Sequence, residues 1–261
     1  MIRGVLLDLA GVIYEGERAL PGALNAVDRL RHAGLSLRFV TNTTRMTKSM
    51  VLQRLSRLGL DVNDSELFTP AQAVREWLAR NDCSPSLLVH PDLVQEFEDV
   101  PIRAHRAVVV GDAGEAFCYA SLNRAFRELI DGAQLIALAK NRSFKDADGL
   151  LSLDAGAFVA ALEFASQHKA LVFGKPAPEF FEAALTSMDC APKHAVMVGD
   201  DAEADVAGAL RAGLSSAVLV RTGKYRPGDE ERFDPPPTVT VESLSAAADW
   251  IVAHSPTSLS C

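Results

Sequence analysis

Short, unbroken apolar runs alternate with amphipathic helical stretches along nearly the whole 261-residue chain, and that alternation leaves few folds open. Residues 3–8 (RGVLLD) predict a buried strand. Residues 21–33 (PGALNAVDRLRHA) predict a helix opened by Pro21 and closed at Gly34. The run 35–41 (LSLRFVT) is a second strand, followed by a helix to about Leu58. Later strands are expected at 170–174 (ALVFG), 194–199 (HAVMVG) and 216–221 (SAVLVR), with helices at 178–188, 202–212 and 242–253. Strands that are apolar on both faces and separated by helices indicate a parallel sheet covered on both sides.

The middle of the chain repeats the pattern. Strands are expected at 86–90 (SLLVH), 107–111 (AVVVG) and 134–139 (QLIALA), with helices near 71–80, 116–130 and 154–167. Composition does not separate this block from its flanks. Its position does, because it lies between the candidate functional residues and contains none of them. The expectation is therefore an α/β protein: a doubly wound, parallel-sheet (Rossmann-like) core made of 1–70 and 169–261, with an α/β cap of 71–168 inserted into it.

Lys plus Arg number 26 against 34 Asp plus Glu, a formal charge of −8, which argues against a broad nucleic-acid surface. Local cations, amides or a metal can still favour anions within one cleft. The four cysteines, Cys83, Cys118, Cys190 and Cys261, show no CxxC spacing and suit a reducing cytosol. The N-terminal apolar run is broken by Asp8 and too short to span a membrane. A cytoplasmic protein without nucleic-acid or membrane partners is expected, with a homodimer as the default assembly.

Ligands of open α/β sheets bind beyond the carboxyl ends of the strands. Four polar groups stand there: Asp8 after VLL, with Gly11 permitting a sharp turn; Thr41 and Asn42 after LRFV; Lys175 after ALVFG; and Asp200 and Asp201 after AVMVG, with Asp205 one helical turn further. Singly, each is explained as a cap, a turn residue or a solvated charge. Together they suit phosphoryl transfer. Asp8 and Asp200 supply carboxylates of the kind Mg²⁺ prefers, and Asp8 can attack phosphorus. Thr41, Asn42 and Lys175 can hold the phosphoryl oxygens, and free amides of the turn Leu9–Ala10–Gly11 add donors.

The order DxxGV (8–12), TN (41–42), GKP (174–176) and GDDxxxD (199–205) resembles the four motifs of the haloacid dehalogenase-like phosphatases. The segments GDAGEAFCYASLNRAF (111–126), KNRSFKDADGLLSLDAGAFVAALEFA (140–165) and VRTGKYRPGDEE (220–231) are similar to the phospholysine phosphohistidine inorganic pyrophosphate phosphatase group. By matching motifs, the resemblance implies Asp8 as nucleophile and metal ligand, with the Ala10 carbonyl and Asp200 as further Mg²⁺ ligands. It implies Leu9, Ala10, Thr41, Asn42 and Lys175 for phosphate, and Asp201 and Asp205 around the metal's water shell.

One position departs from the pattern. Most relatives carry a second Asp two residues after the nucleophile as general acid and base, and Ala10 stands there. A positioned acid–base group is typically worth ~10²–10⁴-fold. Easy leaving groups, as in phosphohistidine, phospholysine or pyrophosphate, need little such help. Either a small phosphorylated compound or a phosphorylated protein side chain is then admissible. The alternative is a catalytically impaired, phosphate-binding relative. Phosphonate or dehalogenase chemistry is disfavoured, because only 32 residues separate Asp8 from Thr41, too few for the cap those enzymes insert there. The basic residues Lys140, Arg142 and Lys145 in the inserted block, and Arg221, Lys224 and Arg226 in the core, read equally well as anion contacts or solvated charges.

Overall fold

A computed structural model describes residues 1–145 and 150–255. Cys261 and part of the 140–165 motif lie outside the described residues, as does the side chain of Lys145. The chain forms two compact units, one of residues 1–41, 52–68 and 175–261, the other of 42–51 and 69–174.

The first unit is built on a six-stranded parallel sheet. Its strand order is Val239–Val241, Ser216–Val220, Ala195–Gly199, Gly4–Asp8, Ser36–Val40 and Leu67–Phe68. Gly4–Asp8 is central and buried along its length. Strand alternation sends Leu6, Met197 and Leu219 to one face, where Phe180 and Phe181 of the Pro178–Thr186 helix complete the core. Each such fully buried large side chain contributes about 1.5–3 kcal/mol. The helices Ala23–His32 and Leu244–Ala253 pack on one another and on the strands. Arg29 ties them by hydrogen bonds to the Ser245 carbonyl at 3.0 Å and to Asp249. Because every pairing is parallel, the strand ends share one edge. Asp8 is level with Val40, and Leu7 with Val198. Thr41 and Asp200 therefore leave the sheet beside Asp8.

The second unit has its own parallel sheet, ordered Leu171–Val172, Gln134–Ala137, His105–Val110 and Cys83–Leu88. Ala107 and Val109 face Ala71, Val74 and Leu78 of the Pro70–Arg80 helix. Val108 and Val110 face Ala125, Leu129, Val159 and Leu162 of the helices Tyr119–Ile130 and Ala155–Ser166.

Three expectations need revision. The 170–174 strand was assigned to the core, but Leu171 and Val172 pair with Ile136 and Ala137 in the second sheet. Residues 42–51, also assigned to the core, join the second unit, where Arg45 Nε donates to Asp112 Oδ2 at 2.6 Å and Lys48 Nζ to Gln72 Oε1 at 2.9 Å. The helix expected at 202–212 begins as a π-helical run, Ala202–Ala207, before the α-helical turn Gly208–Arg211. The other predicted helices and strands occur, shifted by a few residues at most. No helix of the described residues is long and apolar enough to cross a membrane. Cys83, Cys118 and Cys190 are free thiols.

Candidate active site

Asp8 and Lys175 occupy the middle of the carboxyl edge of the first sheet. Asp8 ends its strand 7% exposed, and Lys175, 3% exposed, reaches it across the chain. The Lys175 ammonium lies 2.5 Å from Asp8 Oδ1, 2.7 Å from Asp205 Oδ1 and 3.4 Å from the Val40 carbonyl. Burial alone would discharge this lysine, but Asp205 and Asp8 outweigh it and raise its pKa, so the ammonium stays charged.

The carboxylates respond in the opposite sense. Asp205 is pushed up to about 7 by burial, with Asp8 and Asp201 adding to the effect and Lys175 opposing it. Asp200 is raised well above the ordinary carboxylate range by burial, and then by the charges of Asp8 and Asp205. Burial acts upward on Asp201 as well, but Lys224 and the Ala204 amide bring it below the usual value.

The local backbone explains why each group stands where it does. Asp201 caps the following helix, its Oδ1 accepting from the amides of Glu203 at 3.1 Å and Ala204 at 2.9 Å. Asp205 Oδ2 accepts the Asp201 N–H at 3.2 Å, so both its oxygens are engaged by protein. Asp200 Oδ2 accepts the Lys224 N–H at 2.7 Å. After Asp8 the chain turns with Gly11 at φ 82°, and the Leu9 carbonyl accepts from Ile13 at 2.8 Å. A Cβ on Gly11 would sit 2.1 Å from Asp200 Oδ2, so only glycine admits that carboxylate against the turn.

Asp8, Lys175, Asp200 and Asp205 thus converge, with Asp201 bonded to Asp205 and Thr41 leaving the adjacent strand. The Thr41 N–H donates to the Phe68 carbonyl at 3.2 Å. Asn42 falls in the second unit, its Oδ1 close against Gly174. The Leu9 side chain is fully buried, so it can contribute only backbone, whereas the Ala10 methyl is exposed. One correction concerns the turn donors: the Gly11 N–H is committed to the Tyr14 carbonyl at 2.8 Å, leaving Leu9 and Ala10 as candidates. Among the basic residues, Arg221 pairs with Glu242 at 2.8 Å and Lys140 with Glu163 at 2.6 Å. Lys224 instead reaches the acidic centre, its Nζ 3.4 Å from Asp201 Oδ2.

Thr222 and Gly223 escaped the strand-end reading, although they follow the Ser216–Val220 strand as Asp200 follows its own. The Thr222 hydroxyl donates to the Gly11 carbonyl. The missed signal was position at a strand end, without a charged side chain to draw notice.

Oxygens of Asp8, Asp200 and Asp205 all lie within 4.8 Å of one another. The Lys175 ammonium contacts Asp8 and Asp205, with Asp200 beside them, so three buried carboxylates leave an excess of negative charge in a poorly solvated place. Oxygen-only donors with excess negative charge fit a hard divalent cation. The acidic centre thus stands at the carboxyl edge of a parallel sheet, where α/β proteins bind ligands.

A haloacid dehalogenase-like hydrolase family model matches residues 5–103, and a HAD-hydrolase-like model matches 172–247. The chain is 46% identical over 254 residues to the rat haloacid dehalogenase-like hydrolase domain-containing protein 2, covering 97% of each. It is 44% identical over 259 residues to the phospholysine phosphohistidine inorganic pyrophosphate phosphatase of Xenopus laevis, covering 97% of this chain and 95% of the relative. A glycerol phosphate phosphatase from Mycobacterium tuberculosis, solved with magnesium, is 27% identical with a TM-score of 0.80, over 93% of this chain and 75% of that one. The chain belongs to the haloacid dehalogenase-like hydrolases, as a phosphatase of that superfamily.

Proposed function

We propose that this chain is a magnesium-dependent phosphohydrolase working through an aspartyl-phosphate on Asp8, with P–N compounds or pyrophosphate as substrates. The observation that carries the reading is the buried Lys175 bridge between Asp8 and Asp205, with Asp200 alongside. It holds the Asp8 carboxylate in place at a sheet edge where ligands bind.

In this reading the Asp8 carboxylate forms a bond to phosphorus while the leaving group departs with its electron pair, and water then hydrolyses the aspartyl-phosphate. Asp8, the Ala10 carbonyl and Asp200 would hold magnesium, whose charge would screen carboxylate from phosphate. Asp205 and Asp201 act from behind these ligands, Asp205 by holding Lys175 and the Asp201 amide. Lys175, Thr41, Asn42 and the amides of Leu9 and Ala10 bind phosphoryl oxygens as charge develops. The inserted unit serves as the cap that selects the leaving group. The free thiols suit a cytoplasmic setting, and a homodimer is the expected assembly.

Ala10 directs the substrate choice. An alanine cannot protonate a leaving group, so substrates whose leaving group carries its own proton or departs as a stabilised anion are favoured. The name of the Xenopus relative specifies such substrates. The same residue supports a second reading, a catalytically impaired phosphate-binding protein.

Phosphate release should be measured with Mg²⁺ on imidodiphosphate, phosphohistidine, pyrophosphate and a sugar phosphate, for wild type and Asp8→Asn. Faster release from P–N or P–O–P compounds, lost in Asp8→Asn, is expected. A sugar phosphate hydrolysed equally fast or faster would overturn the substrate assignment. No turnover on any compound, with Mg²⁺ still bound, would establish the impaired reading.

A further inference from the structure

We infer that the tripeptide Thr222–Gly223–Lys224 sets the spacing between the Asp8–Gly11 turn and Asp200, and that Thr222 is a positioning residue for magnesium binding. The inference rests on the acidic centre being the magnesium site, as proposed above. Three contacts converge on this loop. The Thr222 hydroxyl donates to the carbonyl of Gly11, the residue after Ala10. The Lys224 N–H donates to Asp200 Oδ2 at 2.7 Å, and the Lys224 ammonium lies 3.4 Å from Asp201 Oδ2. One short segment therefore holds the turn that follows the nucleophile and both aspartates of the GDD motif.

Gly223 makes the arrangement possible. Its φ is 59°, and a Cβ there would fall 2.0 Å from Asp200 Oδ2 and 2.6 Å from Gly11 Cα. A Cβ on Gly11 would fall 2.9 Å from Gly223 Cα. Two glycine backbones and one carboxylate thus meet without a side chain between them. The loop acts as a spacer whose thickness is that of bare backbone. Removing the Thr222 hydrogen bond frees the Gly11–Val12 peptide and lets the turn part from the loop. The Ala10–Gly11 peptide, which carries the Ala10 carbonyl, stays held through the Gly11 N–H to Tyr14, so the loss acts on the separation of the whole turn from Asp200. The loop's contacts fall on this turn, on Asp200 and on Asp201, so its effect is on the spacing of the ligands.

Groups that orient metal ligands typically change metal affinity by ~10–100-fold when removed. The test is Mg²⁺ titration by calorimetry of the intact protein, comparing wild type, Thr222→Val and Thr222→Ser. Thr222→Val should bind Mg²⁺ at least ~10-fold more weakly, and Thr222→Ser, which keeps the hydroxyl, within a factor of about three. Should Thr222→Val fail to fold, Thr222→Ala removes the same bond without a branched methyl and carries the comparison. In Lys224→Met the backbone N–H that holds Asp200 remains, so affinity should fall less than in Thr222→Val. Wild-type binding with unchanged affinity in the hydroxyl-deleted variant overturns this inference alone. A wild type that binds no Mg²⁺ overturns the metal reading and this inference together.

Discussion

Replacing Lys175 by Met keeps the length of the side chain and deletes the charge that faces Asp8 at 2.5 Å and Asp205 at 2.7 Å. The site is almost sealed, the lysine side chain being 3% exposed, so water cannot substitute for the ammonium. Removing one partner of a buried ion pair typically costs about 3–5 kcal/mol, because the other charge is left uncompensated. Here two carboxylates are orphaned, which places the metal-free variant at the upper end of that range near pH 7.5.

The pH dependence follows from the same geometry. Without Lys175 the one charge that opposes burial at Asp205 is gone, so its folded pKa, already raised to about 7, climbs further above the unfolded value of about 3.9. A group raised in this way contributes stability that is present below its unfolded pKa and lost as pH climbs through the folded one. The penalty should therefore shrink, to about half, when unfolding is measured at pH 5. Each unit has one tryptophan, Trp77 in the second and Trp250 in the first. Denaturant unfolding followed by Trp250 fluorescence in a Trp77→Phe background reports the unit that holds the site. Adding Asp8→Asn to the variant should recover about 1–2 kcal/mol, since it removes one orphaned charge. A loss below about 1 kcal/mol at pH 7.5, or a loss that does not shrink at pH 5, would refute the buried bridge as described.

Two further outcomes are expected. Burial holds Asp205 at about 7 against a lower unfolded value, so metal-free wild type should lose stability between about pH 4 and 7. Asp205→Asn should flatten that decline, and an unchanged slope in equilibrium unfolding would contradict the assignment. Ala10 has an exposed methyl, so Ala10→Asp should be accommodated and should provide an acid–base group. Hydrolysis of a sugar phosphate is then expected to rise by about 10²-fold relative to that of imidodiphosphate, a ratio obtained from phosphate release on both substrates; no change would show that proton transfer does not limit the reaction.

Much of the site was legible because its residues obey a local rule. Asp8, Thr41 and Asp200 each follow a buried apolar run, and a parallel sheet must bring such ends to one edge. Ala10 was legible only against the family's motif pattern, as a carboxylate missing two residues after Asp8. Asp201 and Asp205 announced a helix start. The hydroxyl of Thr222 was not legible, because a neutral side chain in a loop has no charge to be explained and its partner is a carbonyl 211 residues away.

The pattern of apolar runs determined by itself that this chain forms parallel sheets with helices, and which residues end their strands. It could not determine which sheet a strand joins. Residues 170–174 read as one more core strand, yet Leu171 and Val172 hydrogen-bond to Ile136 and Ala137 in the other sheet. Apolar periodicity records that a segment is buried between layers, and that condition is met equally in either unit. The choice of partner belongs to backbone hydrogen bonds, which carry no side-chain signature. The tertiary structure alone decided that choice, the engagement of the Gly11 amide by Tyr14, and the close meeting of Gly11, Gly223 and Asp200. Each depends on distances between segments far apart in the chain.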